Sequence, residues 1–242
     1  MKTSFNEIYQ KSIQKPEEFW ENISNDIFWF KKPSKILNKS NPPFYKWFED
    51  GITNSCYNAV DLHIDQGKGE KIALIYDSPI TGNKAKFTYN QLKEKVSKFA
   101  GALDNQGIKK GDRVIIYMPM IPEAVIAMLA CGRIGAIHSV VFGGFASNEL
   151  ASRIDDSKAK ILITASCGFE PGRTVEYRPL VDGALKLAKH KVDKVIFFQR
   201  KDHEINLNKP LEISWEEALI NSKDKDCVEM GSNEFAYILY TS

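Results

Sequence analysis

The spacing of apolar residues changes along this chain, and each spacing predicts a different element. Two short β-rich runs, 72–76 and 84–88, flank a turn rich in Pro, Gly and Asn, which predicts a hairpin. Thr88 and Gln91 have the spacing of a capping box, and the apolar residues after them recur at helical spacing. This part of the sequence therefore predicts a hairpin and then a helix that ends near Gly107.

Beyond that helix, strand-like apolar runs alternate with helical segments. The expected strands are 113–118, 136–142, 160–164 and 194–198, and the expected helices are 123–133, 147–154 and 180–189. The strand-like runs are apolar throughout, as is typical of strands that are buried on both faces. The alternation predicts an α/β fold with a mostly parallel sheet and helices on both faces, and Ser147 is expected to cap its helix.

The last part of the sequence is expected to add one helix and one strand. Ser214–Glu217 forms a second capping box, and the apolar run 235–242 predicts a strand. A buried strand of a parallel sheet is normally followed by a crossover connection. We therefore expect the chain to be incomplete at Ser242.

Residues 1–62 show neither spacing and are rich in aromatic residues and lysines. One interpretation is a stacking surface for single-stranded nucleic acid, in which rings hold bases and lysines follow phosphates. The other is an irregular segment that inserts its aromatic side chains into a neighbouring domain. We favour the second, because each buried aromatic ring removes a large apolar area from water.

Composition narrows the class of protein. The 242 residues are 43% hydrophobic and 26% charged, as in ordinary globular proteins, and 33 basic against 31 acidic residues give a net charge of +2. No global field therefore favours nucleic acid or an anionic membrane as a partner. The four cysteines form no CxxC pair, and no signal peptide or membrane-length apolar run is present. We expect a soluble, cytoplasmic protein.

Candidate chemistry is expected at one edge of the sheet, because open parallel sheets bind ligands beyond the carboxyl ends of their strands. Four segments follow predicted strands: 118–122, 142–145, 166–173 and 241–242. Gly143 and Gly144 suit either a tight turn or a close approach of backbone to a ligand. Arg173 beside Gly172 is expected on a flexible loop and is suited to bidentate contact with phosphate, although most loop arginines are only solvated.

Other polar residues give weaker signals. His138 is expected to be a satisfied interior histidine, and Asp155 and Asp156 are expected in solvated ion pairs with Arg153 and Lys158. The G-x-G-x-x-G fingerprint is absent, and no Ser/His/Asp, Cys/His or metal-binding set can be assembled. We assign no catalytic residue and no metal ligand within the chain.

Longer motifs add a resemblance to a known family. The runs 111–114, 117–124 and 139–145 resemble short-chain acyl-CoA synthetases of the adenylate-forming superfamily, and 47–63 resembles the N-terminal extension of that group. The resemblance implies an extension at 1–62 and, at 63–242, the first part of an AMP-binding domain. It also implies that a C-terminal part of the same chain is missing.

Within that family, 76–82 and 165–173 resemble propionyl-CoA synthetases more than acetyl-CoA synthetases. The resemblance places five residues in the coenzyme A site: Gly144, Glu170, Pro171, Gly172 and Arg173. In the acetate enzymes this loop ends in an R-x-G-R pattern whose arginines contact CoA phosphate. Here Arg173 keeps the second arginine, whereas Glu170 stands at the first.

The family reaction implies three cofactors and co-substrates, namely ATP, Mg²⁺ and coenzyme A. A carboxylate, propionate or acetate, attacks the α-phosphate of ATP, and the CoA thiolate then displaces AMP. The loop that stabilises the transferring phosphorus is expected to begin at Thr241 and Ser242. We therefore expect the chain alone to be inactive; the alternatives are an acetyl-CoA synthetase and a non-catalytic CoA-binding scaffold.

Overall fold

The structure is a computed structural model that describes residues 4–201 and 203–241. Its helices are α1 Phe5–Gln14, α2 Pro16–Ser24, α3 Tyr89–Asn105, α4 Pro122–Arg133, α5 Ser147–Ser157, α6 Arg178–Leu187 and α7 Trp215–Leu219, with π-helical turns at Tyr57–Asp61 and Ile64–Lys68. Its strands are β1 Leu37–Asn38, β2 Lys46–Trp47, β3 Ile52–Thr53, β4 Ile72–Asp77, β5 Lys84–Thr88, β6 Arg113–Met118, β7 Ile137–Phe142, β8 Ile161–Ala165, β9 Cys167–Glu170, β10 Arg173–Glu176, β11 Lys194–Phe198, β12 Glu212–Ser214 and β13 Met230–Gly231.

A five-stranded sheet forms the centre, in the order β12-β11-β8-β6-β7, and all of its strand pairs are parallel. β6 lies between β7 and β8, so the connections β6–β7 and β7–β8 run in opposite directions across the sheet. Right-handed crossovers then place α4 on one face and α5 on the other. α3 packs on α4, and α5 packs on α6. The predicted parallel α/β fold with helices on both faces is confirmed.

The local signals that predicted individual elements are also confirmed. The Thr88 hydroxyl accepts the Gln91 N–H at 3.2 Å, and the Gln91 side chain accepts the Thr88 N–H at 3.0 Å, so α3 starts at a complete capping box. β4 and β5 pair antiparallel as the expected hairpin. The Ser214 box starts α7, whose Trp215 ring stacks on Phe99 of α3 with ring centroids 3.6 Å apart.

The expected role of Ser147 is wrong. Ala146 is the N-cap of α5, and the Ser147 hydroxyl instead donates to the Leu180 carbonyl at 2.9 Å. A Cβ on Gly183 would lie 2.5 Å from Ser147 Oγ, so the two helices approach closely at this point. Ser147 joins α5 to α6 because it faces α6, which helical spacing alone did not show.

The last predicted strand is not formed in the described residues. A single parallel bridge joins Tyr237 to His138 of β7, with the Ile238 N–H donating to the His138 carbonyl at 2.9 Å. Phe235, Tyr237 and Leu239 are 78%, 60% and 73% exposed. The run has the composition of a strand, but it lies at the sheet edge with little apolar surface packed against it, and only one peptide pairs.

The prediction of an irregular N-terminal segment is wrong for its first part. α1 starts at a capping box between Ser4 and Glu7, and α2 starts at Pro16. No described helix combines the length and the apolar character that a bilayer span requires. The Ser4–Glu7 spacing of a capping box is a short-range signal for this helix, and it is independent of the aromatic composition of the segment.

The expected anchoring by large aromatic residues is also corrected. Neighbouring aromatic rings of this segment pack on one another, with centroids separated by 6.2 Å for Trp20–Trp47, 4.4 Å for Phe28–Tyr57 and 5.6 Å for Trp29–Phe48. Three of its lysines pair with carboxylates: Lys31 with Asp50, Lys39 with Glu17 and Lys46 with Glu49. The residues that enter the main core are small, namely Cys56 and Val60, both fully buried.

Candidate functional site

A cleft of about 360 Å³ lies at the carboxyl ends of β6, β7 and β8. It is lined by Val175, Tyr177, Arg200 and the segments 76–81, 118–121, 140–143 and 168–170. Three of the four segments predicted from strand ends therefore meet at one place. The fourth does not: Thr241 is exposed and is not among the lining residues, and Ser242 lies outside the described residues.

Two tyrosines hold the turn that closes this cleft. The Tyr117 hydroxyl donates to the Phe145 carbonyl at 2.8 Å and accepts the Gly144 N–H at 3.2 Å. The ring of Tyr177 lies 5.0 Å from that of Tyr117. Burial raises the pKa of both phenols, so both hydroxyls stay protonated at neutral pH.

The two glycines of the turn have different functions. A Cβ on Gly143 would lie 2.1 Å from the Tyr177 hydroxyl and 2.9 Å from the Met118 carbonyl oxygen, so Gly143 permits close internal packing. Gly144 has φ +99°, a backbone conformation that favours glycine, and its Cβ position is open apart from Glu170 Oε1 at 3.8 Å. Of these two glycines, Gly144 is the one whose backbone faces open space rather than packed atoms.

Arg173 lies on an ordered hairpin, which corrects the expected flexible loop. β9 and β10 pair antiparallel around a Pro171–Gly172 turn, where Gly172 has φ +74°. Arg173 Nε donates to Glu170 Oε2 at 2.7 Å. The side chains of Arg173 and Glu170 are 70% and 39% exposed. Glu170 lies next to both Arg173 and Gly144, so these residues lie on the same rim of the cleft. The role of Arg173 and Gly144 in binding CoA stays a prediction.

Arg200 is a cleft residue that the sequence analysis missed. It lies two residues after the end of β11 and is only 8% exposed, and its guanidinium lies 4.8 Å from the Phe169 ring centroid. Its backbone N–H donates to Ser166 Oγ at 2.8 Å. The rule that selected the other strand ends would also have selected Arg200. Tyr177, by contrast, follows no strand of the central sheet.

Some expectations for polar residues elsewhere are corrected. Within the described residues, His138 Nδ1 is buried without a hydrogen-bond partner, so the histidine is not satisfied, and burial lowers its pKa. Asp155 accepts the His190 N–H at 2.7 Å, and Asp156 accepts the Tyr240 hydroxyl at 2.6 Å. These two aspartates therefore serve as hydrogen-bond acceptors that join α5 to distant segments.

One cluster of potential metal ligands occurs among the described residues, although the sequence suggested none. The ligating atoms of Cys56, Asp61 and Cys227 lie within 4.8 Å of one another. Mg²⁺ prefers oxygen ligands in octahedral geometry, which two thiols and one carboxylate do not provide. This cluster does not fit the Mg²⁺ that the resemblance implies.

Family models match nearly the whole chain. Residues 63–242 match the AMP-binding enzyme family, and residues 5–59 match the acetyl-coenzyme A synthetase N-terminus. Human acyl-CoA synthetase short-chain family member 3, mitochondrial, is 52% identical over 97% of this chain. Acetyl-coenzyme A synthetase of Streptomyces coelicolor is 42% identical over 98% of it.

The chain spans about a third of the length of these relatives, 34% of the human protein and 36% of the bacterial one. Among solved structures, acetoacetyl-CoA synthetase from Streptomyces lividans superposes with a TM-score of 0.86 at 20% identity, covering 99% of this chain and 36% of that one. This last likeness shows the fold alone. The family-model match over residues 63–242 shows that the chain belongs to the AMP-binding enzyme family.

Proposed function

We propose that the protein to which this chain belongs joins a short-chain carboxylate, propionate in preference to acetate, to coenzyme A at the expense of ATP. The observation that carries the proposal is the cleft, where three strand-end segments and the 76–81 turn meet. Both stretches that resemble propionate enzymes, 76–82 and 165–173, contribute to its lining.

We place a CoA phosphate contact at Arg173, on the rim beside Gly144. The guanidinium is mostly exposed and holds a carboxylate, Glu170, that solvent already screens. A phosphate group can therefore replace Glu170 as its partner at small cost, since a guanidinium can contact a phosphate through two parallel N–H···O bonds. Glu170 keeps the guanidinium oriented until the anion arrives. Pro171 and Gly172 form the turn that presents Arg173.

The chain alone is proposed to have no turnover. The family resemblance implies a phosphate-binding loop that only begins at its last residues and an acyl pocket that it lacks, and the chain spans 34% of the human relative. ATP and Mg²⁺ would bind mainly at that loop, with Thr241 and Ser242 at its start. The domain boundary near residue 62 and a cytoplasmic location remain proposals of the same kind. The human relative is named mitochondrial, so cell fractionation is needed to place this protein.

The first experiment measures AMP release with acetate, propionate and butyrate, using this chain and a chain extended beyond Ser242. We expect turnover only in the extended chain, with propionate giving the highest kcat/KM. Turnover by the chain alone would overturn its proposed inactivity, and preference for acetate would overturn the substrate. An extended chain that binds CoA but releases no AMP would identify a non-catalytic scaffold instead.

The second experiment tests the CoA contact. In the extended chain, Arg173→Ala should raise the KM for CoA several-fold and leave the KM values for ATP and acid unchanged. Lys46→Ala is the matched control, since Lys46 is an exposed cation paired with Glu49 at the same sequence spacing but on β2. An unchanged KM for CoA in Arg173→Ala would refute the contact without touching the proposed reaction.

A further inference from the structure

The interior of the molecule contains a polar cluster that the proposed reaction does not use. Arg133, at the end of α4, is 1% exposed and binds both oxygens of Asp61 at 2.7 and 3.0 Å. Its Nη1 also lies 3.1 Å from Cys227 Sγ and 3.6 Å from Cys56 Sγ. Three distant segments of the chain therefore bring two thiols to one guanidinium.

Asn54 fixes the backbone around both cysteines. Its side-chain amide donates to the Gly132 carbonyl at 3.0 Å and to the Val228 carbonyl at 2.8 Å, and its oxygen accepts the Cys56 N–H at 2.9 Å. The residue is fully buried. These hydrogen bonds fix the backbone near each cysteine, so the fold itself holds the two thiols near one another.

The charges of the cluster favour one deprotonated thiol. Arg133 and Lys93, the latter 3.1 Å from Asp61, supply two positive charges against one carboxylate. If one thiol were deprotonated, the cluster would carry no net charge. Neutrality is favoured most strongly in the interior, because burial away from water penalises net charge. A metal ion at this position would have to displace the guanidinium from both the carboxylate and the Cys227 sulfur.

The two thiols differ in their contacts and in their access to solvent. The Cys227 thiol donates to Asp61 Oδ2 at 3.7 Å and lies 3.1 Å from Arg133 Nη1. Cys56 is fully buried, whereas Cys227 is partly exposed. Cys227 is therefore the thiol that an oxidant from solvent reaches first.

We propose that Cys56 and Cys227 are a reversible oxidation site, at which a peroxide converts the two neighbouring thiols into a disulfide. The sulfur atoms lie within 4.8 Å of one another and would have to approach to about 2.05 Å to form the bond. The bond would tie the 54–61 segment to the 221–230 segment, which leads towards the sheet edge at Tyr237.

The chemistry balances with one peroxide molecule for each disulfide. The Cys227 thiol loses its proton, and its sulfur attacks one peroxide oxygen; an S–O bond forms, the O–O bond breaks, and hydroxide leaves as water after taking up that proton. The Cys56 sulfur then loses its proton and attacks the sulfenic sulfur of Cys227. The S–S bond forms, the S–O bond breaks and a second water leaves.

The remaining cysteines are internal controls. Cys131 is fully buried, and burial raises its pKa to about 12. Cys167 is also buried, and burial raises its pKa. Neither belongs to the Cys56, Asp61 and Cys227 group, so peroxide should leave both reduced.

The test treats the folded 242-residue chain with hydrogen peroxide, then unfolds it in an alkylating reagent and maps its peptides by mass spectrometry. We expect free thiols to fall from the four of the sequence to two, with a Cys56–Cys227 cross-linked peptide that dithiothreitol removes. The oxidised chain should also melt at a higher temperature than the reduced chain, because the bond restricts the unfolded state.

Variants separate this site from general oxidation. Cys131→Ala should still form the cross-link, whereas Cys56→Ser and Cys227→Ser should lose both the cross-link and the peroxide-dependent rise in melting temperature. The proposal is overturned if the folded chain keeps four free thiols. It is equally overturned if peroxide links a different pair, or carries Cys227 to sulfinic acid without linking it to Cys56.

Discussion

Two arginine–carboxylate pairs of similar geometry have opposite surroundings in this molecule. Arg133 and Asp61 are 2.7 Å apart with side chains 2% and 5% exposed. Arg173 and Glu170 make a hydrogen bond of the same length, but their side chains are 70% and 39% exposed. The first pair joins α4 to the N-terminal segment, whereas the second pair joins two strands of a surface hairpin.

The difference shows that distance alone does not give the contribution of an ion pair. Removing one member of a buried pair leaves the other charge without water or a partner, which is strongly destabilising. An exposed pair is screened, and its members can exchange partners at little cost. The interior pair is therefore suited to holding three segments together, and the rim pair is suited to meeting an incoming anion.

The largest expected effect breaks the interior pair. Asp61→Ala should lower the free energy of unfolding by about 3–5 kcal/mol, because it leaves the Arg133 guanidinium buried without its carboxylate. Urea unfolding followed by fluorescence measures this loss. Glu170→Ala is the matched change on the rim and should cost at most about 1 kcal/mol. Equal losses in the two variants would show that burial does not separate these pairs.

A smaller effect is expected at Gly143, where the rim meets the interior. Gly143→Ala should cost about 1–3 kcal/mol, because the added methyl would overlap the Tyr177 hydroxyl. Removing that hydroxyl in Tyr177→Phe should recover part of the loss. The same background should not rescue Gly144→Ala, whose cost comes from its positive φ. A double-mutant cycle measures this, and absence of coupling between 143 and 177 would contradict the packing role of Gly143.

The parts of the fold that could be predicted are those set by neighbours in sequence. The capping boxes at Thr88 and Ser214, the β4–β5 hairpin and the strands of the sheet all depend on short-range patterns. The role of Ser147 and the failed strand at 235–242 depend instead on which elements pack nearby. A periodic pattern indicates an element, but it does not indicate the element's partner.

The same distinction applies to the candidate site. The strand-end rule found three segments of the cleft, since parallel strands bring their carboxyl ends to one edge. Tyr177, which packs under Gly143, carried no such signal. No sequence pattern indicated the interior cluster, because Asp61 lies 72 positions from Arg133 and 166 positions from Cys227. Only tertiary packing brings those side chains together.

Acid should weaken the interior pair, because it protonates the Asp61 carboxylate. Burial alone raises the pKa of Asp61, but hydrogen bonds and charge from Arg133, with help from Lys93, outweigh it and hold the pKa below the ordinary value of 3.8. A carboxyl whose pKa is lower in the folded state adds stability above its unfolded pKa and loses it as pH falls through the folded pKa. Each unit of difference is worth about 1.4 kcal/mol.

Unfolding free energies measured from neutral pH down to below pH 3.8 test this expectation. The unmodified chain should lose stability over that range, and Asp61→Asn should show a shallower dependence. Glu170→Gln is the rim control and should follow the unmodified chain. A pH dependence unchanged in Asp61→Asn would mean that other carboxyl groups account for all of the acid sensitivity.

The smallest effect is expected at the rim itself. Arg173→Ala should change the free energy of unfolding by no more than about 1 kcal/mol, because the guanidinium loses only a screened contact to Glu170. Lys46→Ala removes the comparable Lys46–Glu49 pair and should behave alike. Urea unfolding of both variants measures the difference. If Arg173→Ala costs as much as Asp61→Ala, Arg173 is needed for folding, and a weakened interaction with CoA in that variant would no longer indicate direct contact.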